Sequence, residues 1–398
     1  MKHSATTLIL TVAMLATTSV LSVARGAERY AVLHRFEKDS NENSSQESMK
    51  LTLVGNALYG MTRSGGEQKM GTIFRINTDG TGYTVLHEFS EKETDGHNPC
   101  GTLTADGDML FGMTSHGGAG KGGTIFRIST DGASYKVLRQ FVGWTLDGDT
   151  PYGSLIIDGN TLYGMTVRGG TGGDNGMLFR INKDGNGFAI LHNFAGGRTD
   201  GASPYGTPTL DGDMLYGMTN AGGQRNKGVI FRVNKDGTGY QLLHHFSTAA
   251  DNGSSPNGSL LADGAVFYGM TFDGGTADKG SIFRINKDGT GFTILHSFPS
   301  TGASGTHPRG GLVLLGENLY GVANAGGRNE AGALFRISKT GKNFLLLRRF
   351  GEASVNPGEA DGIEPYGDII ASETDIFGMT RRGGLGGGTI FRYQLAIP

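Results

Sequence analysis

The chain has 398 residues, 70 of them Gly and only 10 Pro, with 37% hydrophobic residues and a net charge of −2. Gly so far above the usual ~7%, without a G-X-Y period and with little Pro, excludes collagen, and the ordinary hydrophobicity excludes featureless disorder. Near-neutrality leaves no long-range field for nucleic acid or an anionic membrane, and a single cysteine, Cys100, excludes a disulfide framework or a Cys-rich metal site.

Lys2 and His3 precede an apolar run over residues 8–23, and Ala24 and Gly26 stand at −3 and −1 of a cleavage site before Ala27. Residues 1–26 read as a secretory signal peptide and 27–398 as one mature domain. The run is shorter than the ~20 residues a spanning helix needs. No second run of spanning length follows. The mature chain is expected to be secreted or periplasmic, monomeric and without membrane insertion.

The next phrase, Val32-Leu33-His34-Arg35-Phe36, recurs as Val85-Leu86-His87-Glu88-Phe89 and five times more. Between successive copies stand two others. Leu58-Tyr59-Gly60-Met61-Thr62 repeats around Phe111, Tyr163, Tyr216, Tyr268, Tyr320 and Phe377, and Gly71-Thr72-Ile73-Phe74-Arg75-Ile76 also occurs seven times. The period is about 52 residues. Within a unit, strand one (residues 153–157) ends at the Asp158-Gly159 turn, strand two is the Leu-Tyr-Gly-Met-Thr phrase, and a Gly169-Gly170 loop leads to strand three (177–181). A turn at Asp184-Gly185 then leads to strand four (188–194). Asp-Gly supplies the positive φ of tight hairpins. Four short strands at this period predict an all-β fold, a seven-bladed β-propeller of four-stranded antiparallel blades.

The offset of the phrases decides between a ring and a solenoid. The last unit lacks a fourth strand, whereas the strand at residues 30–36 has no unit before it. Pairing them closes the ring and removes open sheet edges. Strand one should be innermost, because Gly101, Gly153, Gly206, Gly258, Gly310 and Gly367 open it and small residues relieve crowding at an axis. The loops after strands two and four then share one face.

Most repeated residues are structural. The Tyr59, Phe74, Tyr83 and Phe89 columns read as interblade packing. Arg75, Arg127, Arg180, Arg232, Arg284, Arg336 and Arg392 form a structural column on strand three, with Asp95, Asp147, Asp200 and Asp361 as expected partners. His34, His87, His192, His244 and His296 have no chelate spacing within a blade, and Arg139 and Arg348 replace His in two units. No metal or cofactor is expected there. The loop 169–174 matches G-G-x-G-x-D only once, where calcium binding needs tandem copies.

Outside these columns, Trp144, Tyr152, Tyr205, Tyr366 and Phe272 fall in loops of one face, beside His97, His116, Asp273 and Arg309. Aromatic planes with polar groups on a rigid ring suit an oligosaccharide or another polar ligand. Trp144, Tyr152, Tyr205, Phe272, Tyr366, His97, His116 and Arg309 are therefore the candidate ligand-binding residues of a binding or interaction module, whose partner is a carbohydrate or another protein. The alternative is a polysaccharide-degrading enzyme: a lyase drawing on His97, His116, Tyr152 and Arg309, or a hydrolase on Asp95, Asp147 and Asp200. The equivalent repeat positions of those aspartates favour a turn role.

The unit V-L-H-x-F, D-G-x-x-P-x-G-x-L, L-Y-G-M-T-x-x-G-G, G-T-I-F-R-I-N-x-D-G resembles the Gloeobacter/Verrucomicrobia-type tandem repeat of the choice-of-anchor GloVer-containing proteins, over residues 30–393. The resemblance implies an exported, propeller-like bacterial repeat protein with no established activity, so no catalytic residues carry over. It also implies a carboxy-terminal surface anchor. Only Gln394-Leu395-Ala396-Ile397-Pro398 follow Tyr393, so free secretion or periplasmic residence is expected. The Gly-Gly after strand two is similar to kelch repeats, with Tyr83 and Phe188 where kelch units carry Trp.

Overall fold

A computed structural model describes residues 29–38, 50–143, 147–301, 304–351 and 361–395; the leader read at 1–26 lies outside them. The turn chemistry works as its residues dictate. Asp79, Asp236 and Asp288 each accept the backbone N–H of the Thr two residues on, closing the hairpin between strands three and four. The hairpins stack into seven four-stranded antiparallel blades arranged as a ring, a seven-bladed β-propeller. Blades 1 to 6 run over residues 51–88, 96–140, 149–193, 209–245, 261–297 and 313–349. The described residues contain no α-helix, only a 3-10 turn at Arg328–Glu330.

Blade 7 combines both ends of the chain. Its outer strand is Tyr30–Glu37, antiparallel to Gly386–Gln394, with Tyr30 opposite Tyr393 and Val32 opposite Phe391. Beyond Gly386–Gln394 lies Asp375–Gly383, and the inner edge is Ile370–Ala371. The hydrophobic core is correspondingly divided into seven layers, one between each pair of neighbouring blades. In the layer between blades 7 and 1, Phe36 from the amino-terminal strand packs with Leu51, Phe74 and Phe377. A two-ended layer of this kind exists only in a closed ring.

Every junction also carries a planar cation or imidazole laid on an aromatic ring of the following blade. His34 stacks on Tyr83 at 4.0 Å, His87 on Tyr135 at 3.7 Å, His192 on Tyr240 at 3.6 Å, and His244 on Phe292 and His296 on Phe344 at 3.9 Å. Arg139 takes the same place over Phe188 at 3.4 Å, and Arg348 over Tyr30 at 4.3 Å. The loop carboxylates join these stacks. Asp200 meets His192 at 3.1 Å and accepts the Tyr240 hydroxyl at 2.5 Å. Asp361 meets Arg348 at 2.9 Å and accepts the Tyr30 hydroxyl at 2.6 Å. Asp95 serves His87 and Tyr135 likewise, and Asp147 pairs with Arg139.

The expected pairing of these aspartates with the strand-three arginines is therefore wrong. Arg75 donates to Asn77, Arg232 to Gln241, and Arg392 lies 3.8 Å from Asp375. Register is the reason. The arginines sit two residues from the Asn77 end of strand three, whereas the aspartates cap the opposite end, beside the His that pairs with Ile73. Arg75 and Arg232 are half-exposed, so their heads reach solvent and need no buried counter-ion.

At the axis, a Cβ on Gly153 would lie 2.2 Å from the carbonyl oxygen of Gly206, and the same collision recurs from Gly101, Gly206, Gly258 and Gly310 to the next blade. In blades 3 to 7 the inner strands start later than expected, at Ile156 in blade 3, where the preceding residues bond across blades instead of within the ladder, whereas in blade 2 the strand is continuous over Gly96–Asp106. The N–H of Thr102 donates to Ser154, that of Ser154 to Thr207 and that of Thr207 to Ser259, at 2.7–2.9 Å.

Two outcomes follow. Tyr30→Phe removes a hydrogen bond to a buried carboxylate, which costs about 1.5–3 kcal/mol, and should lower the calorimetric Tm by several degrees, while deleting residues 30–36 should abolish cooperative folding. An unchanged Tm in the deletion would contradict ring closure. Burial pushes the His296 imidazole down to about 4 and lowers that of His244 as well. Below the ordinary value of ~6.5 the unfolded chain takes up protons that the folded one refuses, so stability falls as pH drops from 7 to 4. His296→Phe keeps the ring stack and should flatten that slope; an equal slope in the variant would contradict the assignment.

Candidate functional site

The segment x-G-x-x-P-x-G, opened by Asp in four of its six copies, leads into the inner strands of blades 2 to 7 and builds one face of the ring. Its residue before Pro has positive φ in all six described copies: Asn98 (53°), Thr150 (55°), Ser203 (54°), Ser255 (56°), His307 (54°) and Glu364 (57°). Side chains rarely adopt that region, and a following Pro biases against helical backbone. It is held by neighbouring blades: the N–H of Asn98 donates to Met70, that of Ser203 to Asn175 and that of His307 to Lys279, each at 2.8 Å. Two places on from it, a single residue stands between Pro and Gly. That column reads Cys100, Tyr152, Tyr205, Asn257, Arg309 and Tyr366.

Five of these six line a funnel. Tyr152, Tyr205, Asn257, Arg309 and Tyr366 surround an axial cavity of about 360 Å³ together with Lys50, Asn220, Ser255, Phe272, Asp273 and Gly367. Cys100 instead is buried, and its thiol donates to the carbonyl of Pro151. Burial pushes that thiol up to about 12, so it is no nucleophile.

The cavity wall has two aromatic arrangements. Tyr152 and Tyr205 meet edge to face at 5.2 Å. Across from them the Arg309 guanidinium lies 4.4 Å from the Phe272 ring centre and 5.3 Å from that of Tyr366, and donates to the Tyr366 hydroxyl at 3.1 Å. Asn220 donates to Asn257 at 2.8 Å. Deep in the funnel, Lys50 is buried and pairs with Asp368 at 2.8 Å. Asp273 lies 4.0 Å from His307, whose imidazole burial and the Lys279 ammonium push below its ordinary value.

Of the residues singled out from sequence, Tyr152, Tyr205, Phe272, Arg309 and Tyr366 come together here. His97 and His116 do not. They stack on each other at 5.7 Å in blade 2, hydrogen-bonded to Asn98 and Ser115, and are absent from the cavity lining. Trp144 lies outside the described residues. Lys50, Asn220, Ser255 and Asn257 also line the cavity and were not among the residues expected from sequence, because none is aromatic and Lys50 follows no P-x-G phrase. The signal was the column itself: Asn257 occupies the same slot as the tyrosines. The carboxylate of the G-G-x-G-x-D loop is engaged locally, since Asp174 accepts the N–H of Gly169 at 2.8 Å.

The family described as the Gloeobacter/Verrucomicrobia repeat matches residues 16–223 and 174–360. No curated protein matches the sequence significantly. Among solved structures, an oligogalacturonate lyase in complex with manganese is similar at 12% identity and a TM-score of 0.58, over 92% of this chain and 93% of that one. A puromycin-hydrolyzing peptidase of Mycobacterium tuberculosis is similar at 13% identity and a TM-score of 0.51, over 91% and 54%. At such identities the likeness shows the fold alone.

Junction and funnel residues should separate cleanly in a stability assay. Asp200→Ala strands the Tyr240 hydroxyl and two backbone N–H groups, a loss of roughly 3 kcal/mol. Tyr205→Ala and Asn257→Ala should leave chemical denaturation midpoints nearly unchanged. Equal destabilisation in both classes would make the funnel residues packing elements.

Proposed function

The chain belongs to the Gloeobacter/Verrucomicrobia repeat family, and we propose that it is an exported binding module whose axial funnel takes a polar ligand, a glycan end being the chemistry it fits best. The observation that carries this reading is convergence. Tyr152, Tyr205, Phe272, Arg309 and Tyr366 come one from each of five successive blades and line one cavity. None of them belongs to the interblade layers, although Tyr366 is buried.

The chemistry of the lining suits a saccharide. Aromatic faces stack on the apolar faces of sugar rings, while amides, a carboxylate and a guanidinium meet hydroxyl groups. The cavity, at about 360 Å³, lies at the small end of the ~300–1,000 Å³ range of ligand sites. It holds a terminal residue or two rather than a long chain. The hydrolase alternative loses its carboxylates, because Asp95, Asp147 and Asp200 are each engaged at a blade junction. A lyase built on His97 and His116 would place its bases outside the funnel lining.

The test is a glycan array with the purified chain and with a Tyr152→Ala/Tyr205→Ala variant. The reading expects saccharide binding without turnover, weakened at least about tenfold in the variant, at an unchanged Tm. Equal binding by both proteins would move the site elsewhere, and release of unsaturated or reducing ends would establish an enzyme.

A further inference from the structure

Resting on the funnel being a saccharide site, we propose that the saccharide it takes is acidic, its carboxylate read by the edge of Arg309. Three observations point there. Among the described residues lining the cavity, Lys50 is neutralised by Asp368 at 2.8 Å, whereas Arg309 makes no ion pair. The one carboxylate among the described lining residues, Asp273, lies 4.0 Å from His307 and forms no ion pair with Arg309. Arg309 is thus a cation held in the wall without a counter-charge in contact. Its Nε is buried and finds no hydrogen-bond partner among the described residues.

The guanidinium is also held in a way that leaves it available. Phe272 and Tyr366 lie 4.4 and 5.3 Å from its carbon, and Nη1 donates to the Tyr366 hydroxyl. Ring contacts on the guanidinium and one hydrogen bond fix its plane and leave most of its N–H fork uncommitted. A planar fork of that kind matches a carboxylate in two parallel charge-assisted hydrogen bonds, a geometry that a lysine cannot reproduce. In the same column the other blades supply Tyr152, Tyr205, Asn257 and Tyr366, all neutral. The charge therefore sits on one side of the funnel, with the Tyr152–Tyr205 pair left to receive a sugar face. A hexuronate presents both features on one ring: an apolar face and a carboxylate at its edge. Asp273 and the Asn220–Asn257 amides are left to meet hydroxyl groups.

The test is isothermal titration of the full mature chain with a panel of disaccharides in matched pairs, each neutral sugar beside its C6-oxidised counterpart, at 0.15 M ionic strength. Sodium acetate and malonate serve as carboxylates without a sugar. The proposal expects the acidic member of a pair to bind at least about tenfold tighter. Arg309→Gln should weaken the acidic member of a pair at least about tenfold more than the neutral one, abolishing that preference, and Arg309→Lys should restore only part of it. A purely structural role for Arg309 would instead lower Tm and weaken both members equally, overturning the proposal. So would equal affinities within each pair in the wild-type chain, though the funnel would then stand as a neutral glycan site. A preference that survives in Arg309→Gln overturns the assignment to Arg309. Acetate or malonate binding as tightly as the acidic disaccharide would remove the sugar from the proposal. Binding by no member of the panel would remove the saccharide site on which it rests.

Discussion

The contact on which the ring depends is small and occurs seven times: a flat imidazole or guanidinium on the fourth strand of one blade, lying on the aromatic ring of the next. Each such pair contributes on the order of 0.5–1.5 kcal/mol beyond the area it buries. Its larger effect is geometric. The stack and the carboxylate that ties several of them together fix how one blade turns against its neighbour, and seven equal turns must add to a full circle. The amino-terminal strand supplies the last of these contacts through Tyr30 and passes on the next through His34. Closure is thus made by the same chemistry as every other junction, using both ends of the chain.

From that constraint the rest of the architecture follows. Blades held at a fixed angle crowd at the axis, where only Gly can sit against the next blade's carbonyl, and the displaced N–H groups find hydroxyls across the gap. Above this ring the segment with the backbone twist before Pro places one residue from each of blades 3 to 7 around the axis. Packing does not dictate what that residue is, so Tyr, Asn and Arg appear at a slot whose two neighbours are Pro and Gly. A repeat protein offers its own comparison in this respect. Positions that agree across blades answer to the scaffold, and those that differ at a fixed orientation are free to answer to a ligand.

Much of this was legible in the residues. Strand phrases, Asp-Gly turns and the displaced first copy of V-L-H-x-F gave the blade count and the closing strand, because hairpins are local and a leftover strand has one place to go. The loop face gathered Tyr152, Tyr205, Phe272, Arg309 and Tyr366 for the same topological reason. What escaped depends on register and on contacts between blades. The aspartates were assigned to the strand-three arginines, although eight residues of chain, or thirteen at Asp361, bring them to the His or Arg of strand four; nothing in a column of charges says at which end of a strand its partner lies. Asn257 and Lys50 were passed over because neither residue type stands out until the fold sets it beside the tyrosines. His97 and His116 looked alike as candidates and share a strand pair, yet they face each other away from the funnel lining.

The central claim is that stability is a property of the closed circle and not of each blade. Native-state hydrogen exchange on an Asp361→Asn variant tests it most directly, because the change weakens one junction between blades 6 and 7. A closed ring predicts that protection falls together in all blades, including the third strands Met177–Asn182 and Val229–Asn234 on other parts of the circle. Loss confined to blades 6 and 7, with the others exchanging as in the unaltered chain, is the behaviour of an open array and would contradict the account.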